Sequence, residues 1–140
     1  MTAPSRPVPW PDSRTAEFWE AAADGRLLVQ ACGDCHALQF YPRGHCVRCF
    51  GSDVGWREVS GRATLHTFSV VHRTWSEAFA ADVPYVFAIV DLEEGVRMTS
   101  RVVDVEPERV RCDMPLQVVF RKLEDGGAVM PFFIEAVNPL

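Results

Sequence analysis

Cys32 and Cys35, followed after ten residues by Cys46 and Cys49, form a C-x2-C…C-x2-C set that constrains the fold more than any other feature of the chain. Each C-x-x-C turn can aim both sulfurs at one point, and the loop between them brings the second turn to face the first. That arrangement suits a tetrahedral Zn²⁺ bound by four thiolates. Zinc is favoured over two disulfides, a redox C-x-x-C or an iron site, which use the same residues. Four cysteines leave no open coordination position for water or substrate, so the metal is expected to be structural. Gly51, two residues past Cys49, is expected to let the second turn close tightly; the first pair has Ala37 there. His36 and His45 flank the set and are expected to be solvated, with Arg43 and Arg48 offsetting the thiolate charge.

With 140 residues the chain has room for a small metal module and one compact domain. Its formal charge of −5 argues against a nucleic-acid surface, which draws on clustered Lys and Arg. Lys122 is the only lysine among fourteen basic residues, an arginine bias that fits a GC-rich bacterial genome. The first residues show no signal-peptide core, and no run of about 18 apolar residues occurs. A cytoplasmic protein is therefore expected, and in a reducing compartment cysteines favour metal over disulfides. The odd one, Cys112, is expected to be buried or idle.

Pro4, Pro7, Pro9 and Pro11 make residues 1–11 an extended arm that carries Trp10. Asp12 or Ser13 can cap a helix over 13–24, with Gly25 as its stop and Phe18, Trp19 and Ala22 as its apolar stripe. Arg26–Gln30 reads as a strand entering the ribbon and Gln39–Tyr41 as the strand returning. From Trp56 onward strands are expected at 61–72, 84–92, 96–105, 115–123 and 131–137, with tight turns at Glu93–Gly95 and Asp125–Gly127. Five strands with a break near Glu106 suit a small closed barrel of the OB type. The division is then 1–25 arm and helix, 26–55 zinc ribbon and 56–140 barrel.

His66 and His72 alternate with Phe68 and Val70 on the first long strand, opposite Leu65, Thr67, Ser69 and Val71. Both faces carry apolar residues, so periodicity does not decide which is inside. Segment 73–83 interrupts two strands and carries Trp75 and Phe79. Trp10, Phe18, Trp19, Trp75 and Phe79 are the candidate partner-binding residues, each with packing on its own domain as the competing role. No nucleophile elbow, phosphate loop or metalloprotease motif is present, and Glu93–Glu94 reads as a solvated turn pair. No catalytic residue is assigned.

The succession of helix, ribbon and barrel resembles the DUF35 OB-fold family from about residue 13 to the C-terminus. The pieces that carry the resemblance are Cys32-Gly-Asp-Cys35, Phe40-Tyr-Pro-Arg43, Cys46-Val-Arg-Cys49, Gly61-Arg-Ala-Thr64, Val83-Pro-Tyr-Val-Phe-Ala-Ile-Val90 and Glu94-Gly-Val-Arg97. Val47 departs from the pattern, which often has proline after the third cysteine. The resemblance implies a mainly β chain with an N-terminal helix, a rubredoxin-like zinc ribbon and a five-stranded OB-fold barrel. It also implies a non-catalytic accessory subunit of a thiolase-superfamily enzyme acting on acyl-CoA, with the ribbon and helix toward the partner and the acyl-CoA at a shared site. A lipid-transfer-protein-like retro-aldolase of steroid side-chain or other bulky acyl-CoA degradation is the favoured partner. Acetyl-CoA acetyltransferase or HMG-CoA synthase-type complexes, hydratase folds, and a free-standing acyl-CoA or single-stranded nucleic-acid binding module are the alternatives. An iron-bearing electron carrier is a further one.

Overall fold

The computed structural model describes residues 6–124 and 127–137. Met1–Ser5, including Pro4 of the arm, and Asp125–Gly126 of the last expected turn lie outside the described residues.

Helix α1 (Ala16–Ala23) is shorter than expected at its start. Asp12 shapes a turn ahead of it: Oδ1 accepts the amides of Arg14 and Thr15, and its carbonyl accepts those of Thr15 and Ala16. The helix ends as expected, at Gly25 with φ +78°, where the Gly25 and Arg26 amides return to the Ala22 and Ala21 carbonyls. Phe18, Ala21 and Ala22 are buried as α1 packs on the strands β1 (Leu27–Cys32) and β8 (Val129–Glu135).

β1 is the centre of a three-stranded antiparallel sheet, flanked by β2 (Leu38–Gln39) and β3 (Val54–Val59). Trp56 pairs with Gln30 in this sheet, so the residue at which the sequence pattern changes belongs to the ribbon's strands. The remaining strands are β4 (Arg62–Val71), β5 (Tyr85–Leu92), β6 (Arg97–Val102) and β7 (Pro115–Lys122). With β8 they close a barrel of order β4-β5-β6-β8-β7, in which only the β6–β8 pairing is parallel. This is the OB-type barrel expected. β6 stops short of the expected end because Asp104 takes φ +60°, and the break near Glu106 is a 3-10 turn over Pro107–Arg109.

A single apolar cluster runs from Phe18, Leu27 and Val29 through Val59 into Leu65, Val90, Leu116 and Phe133 of the barrel. Phe133 is fully buried. The ribbon sheet and the barrel thus share one core. The ambiguity of β4 is resolved by a bulge at His66, where the register with β5 jumps from Leu65↔Val90 to Thr67↔Ile89. Ala63 and Leu65 face inward before it, Phe68 and Val70 after it. His66 is left exposed with Nδ1 3.4 Å from Asp91 Oδ2.

Candidate metal centre and apolar groove

The two cysteine turns repeat each other bond for bond. The Cys32 amide donates to the Ala37 carbonyl and the His36 amide to the Cys32 carbonyl; likewise the Cys46 amide donates to Gly51 and the Phe50 amide to Cys46. The residue four beyond the first cysteine is left-handed in each, His36 at φ +64° and Phe50 at φ +63°. Gly51 therefore does not supply the turn, which corrects the expectation. What it supplies is room: a Cβ there would meet Asp34 Oδ2 at 2.5 Å and Cys49 Sγ at 3.3 Å.

All four Sγ atoms lie within 4.8 Å of one another, with Cys32–Cys49 and Cys35–Cys46 each at 3.6 Å. A tetrahedron of Zn–S bonds of about 2.3 Å has edges of about 3.8 Å, so the donor set fits a four-thiolate ion. Backbone amides already point at the sulfurs: Asp34 and Cys35 to Cys32, Arg48 to Cys46 and Gly51 to Cys49, at 3.3–3.4 Å. Without a cation four sulfurs this close cannot all ionise. The Cys49 and Arg48 amides push Cys46 down to about 6. Cys49 receives the Gly51 amide, which lowers it, but the proton it shares with the Cys32 and Cys35 sulfurs drives it up to about 12. His36 and His45 stand outside the sulfur cluster, and His45 stacks on Phe50.

Two buried glutamines hold the loop that carries the second turn. Gln30 Oε1 accepts the Arg43 amide and its Nε2 donates to the Arg43 carbonyl, imitating a strand partner. Gln39 does the same for Val47 and His45.

The five aromatic candidates separate. Phe18 is 5% exposed and belongs to the core, with only an edge reaching the surface. Trp19 is half-buried against it, edge to face at 5.0 Å. Trp10 is 87% exposed, Trp75 fully so, and Phe79 is half-buried with the Arg101 guanidinium 5.8 Å from its ring. Phe18 and Trp19 line an apolar groove of about 430 Å³, walled on the other sides by Tyr41, Phe87, Met98 and Phe132. Trp10, Trp75 and Phe79 do not line it. Sequence reasoning missed the groove's barrel wall. Its one visible signal was Phe87, an exposed apolar residue between buried Val86 and Ala88 on β5.

Of the two turn carboxylates Glu93 is exposed, as expected, while Glu94 is half-buried with Oε1 shielded from solvent, which corrects its reading as solvated. Glu93 binds Arg62 at 2.6 Å, which holds its carboxyl below the usual range, and Glu94 accepts the Ser60 amide. Arg97, Arg101, Arg109 and Arg121 each pair with a carboxylate (Asp91, Asp82, Glu135 and Asp104), which leaves no unpaired arginine groove of those residues for a phosphate backbone. Cys112 is exposed. Among the described residues no helix is long and apolar enough to cross a membrane.

A four-cysteine ribbon whose sheet shares its core with a closed OB barrel defines a class of metal-ribbon OB proteins. Residues 19–55 match the family model of the ChsH2 rubredoxin-like zinc ribbon domain, and residues 56–121 that of the ChsH2 C-terminal OB-fold domain. The chain belongs to the DUF35 family of ribbon and OB-fold proteins. A DUF35 domain-containing scaffold protein of Methanocaldococcus jannaschii is 36% identical over 118 residues, covering 83% of each chain. A probable enoyl-CoA hydratase alpha subunit of Thermomonospora curvata is 34% identical over 133 residues; these are 94% of this chain but only 40% of that one. Among solved structures, a chain of the Ltp2-ChsH2(DUF35) aldolase superposes with a TM-score of 0.81 at 30% identity, over 93% of this chain and all of that one.

Proposed function

We propose that this chain is a non-catalytic, zinc-stabilised scaffold subunit that binds a thiolase-superfamily enzyme, a lipid-transfer-protein-like retro-aldolase acting on a bulky acyl-CoA such as a steroid side-chain thioester. Cys32, Cys35, Cys46 and Cys49 would hold the ion. Bound there, Zn²⁺ supplies a cross-link between the two turns and offers no open position for substrate. The observation that carries the reading is the likeness, over 93% of this chain, to a chain of the Ltp2-ChsH2(DUF35) aldolase. Supporting it are the closed sulfur cluster and exposed Trp10 and Trp75, large apolar surfaces of the kind that anchor protein interfaces. The acyl-CoA would be held at a site shared with the enzyme, next to the apolar groove.

The test is co-expression with a thiolase-superfamily aldolase subunit, followed by size-exclusion chromatography, metal analysis and an acyl-CoA cleavage assay. A stoichiometric complex with one zinc per small chain, more active than the enzyme alone, is the expected result. Separate elution with a fully active lone enzyme would overturn the reading. A hydratase partner is the second reading, favoured by the hydratase alpha subunit that shares this sequence; hydration in place of cleavage would distinguish it.

A further inference from the structure

The proline arm is tied down at both ends. At one end Arg6 reaches across 76 residues of sequence to Asp82, Nη2 to Oδ1 at 2.6 Å, and its Nε donates to the Ala78 carbonyl. At the other, Asp12 and Thr15 exchange four hydrogen bonds through side chains and backbone. Pro7, Pro9 and Pro11 between these anchors have fixed φ and no amide to donate, so the segment is a short stiff strap. Trp10 stands out from it at 87% exposure.

Asp82 is well placed to keep the strap in this shape. It is 19% exposed, and its second oxygen accepts from Arg101 at 3.2 Å. Arg101 is in turn held over the Tyr85 ring at 3.8 Å. The anchor is thus fastened to the barrel wall through β5 and β6. Segment 76–82, to which Arg6 is laced, also follows directly on fully exposed Trp75.

An isolated exposed indole on a floppy arm would lose most of its binding energy to ordering; one on a strap already fixed at both ends does not. Arg14, just beyond the strap, is exposed, and its charge acts within this chain on the Asp12 carboxylate, the strap's own anchor, so a carboxylate beside the receiving pocket would complement its outer side. We infer that Pro7–Pro11 is a preformed ligand for the enzyme partner, with Trp10 as the anchor that enters an apolar, carboxylate-flanked pocket and Asp82 as the positioning residue that keeps the strap preformed. This rests on the scaffold reading above and names the surface that reading leaves open.

The test measures affinity for a separately purified thiolase-superfamily aldolase subunit by surface plasmon resonance for wild type, W10A, D82N and the double variant. Zinc content and thermal midpoint of each lone chain are checked in parallel. W10A is expected to weaken binding about a hundredfold and D82N about tenfold, the scale of an anchor and of its lost preorganisation. The double variant is expected to match W10A, because a loosened strap matters only through Trp10. A purely structural role of Asp82 would give additive losses and would overturn its assignment. Wild-type binding left intact in W10A would sink the strap proposal while the scaffold reading stands. No binding by wild type would fail the scaffold reading itself. If W10A changes only self-association in sedimentation, the strap is a contact between copies of this chain, and the proposal falls.

Discussion

Gln39 donates through Nε2 to Gln30 Oε1 at 2.7 Å in the buried centre of the ribbon sheet, and the remaining polar atoms of the two amides are spent on the backbone of residues 43–47. The second cysteine turn is therefore positioned by two side chains of the sheet that carries the first. Gln39→Ala would orphan the Val47 amide and the His45 carbonyl. It is expected to cost about 2–3 kcal/mol and to speed zinc loss to a chromogenic chelator. Unchanged chelation kinetics would show that the loop is held by the metal alone.

Cys46→Ser removes one sulfur of the cluster and is expected to abolish stoichiometric zinc and to expose the ribbon to proteolysis, with the barrel strands persisting. Zinc uptake at neutral pH must also displace the proton that Cys49 keeps up to about pH 12 in the metal-free chain. Binding should release protons, and retention should fall as pH falls. Adding zinc to the apo-protein in weak buffer with a pH indicator measures this directly.

Gly61 adopts φ +81°, and a Cβ there would lie 2.2 Å from Val118 Cγ1. Both the backbone and the neighbouring strand refuse a side chain, so Gly61→Ala is expected to destabilise by about 3 kcal/mol. Urea unfolding of the variant tests it. Gly44, whose Cβ would meet open space, is the control and should tolerate alanine.

Asp91 is held below the ordinary carboxylate range, first by its hydrogen bond from Arg97 and further by the charges of Arg97 and His66. A lowered folded-state pKa gives stability that is present above the unfolded value and lost as pH falls through the folded one. Asp91→Asn should therefore narrow the difference in urea midpoint between pH 7 and pH 3. An unchanged difference would place the acid sensitivity elsewhere. The partners are well exposed, so the effect is expected to be small.

Much of this molecule was legible in the chain because its signals are local. The cysteine spacing, the Gly25 stop, the Glu93–Gly95 turn and the period-2 strands each depend on neighbours a few residues away. The inside of β4 was not legible, because a bulge at His66 reverses the strand's faces halfway along and apolar residues occupy both. At Gly51 the left-handed position is its neighbour Phe50, and the room that the glycine leaves is taken by the Asp34 carboxylate of the other turn.

The sequence by itself determined the four sulfurs, the order of helix, ribbon and barrel, and the absence of a recognisable catalytic motif, since these rest on residue type and short-range spacing. Only the tertiary structure decided which aromatics are available. Phe18 and Trp10 read alike as apolar residues near the N-terminus. One is drawn into a core shared by α1, the ribbon and the barrel, while the other is held out on a strap pinned by Asp82. The helical stripe marks the face that Phe18 shares with Ala22, but what covers that face, and what leaves Trp10 uncovered, depends on contacts between segments far apart in the chain.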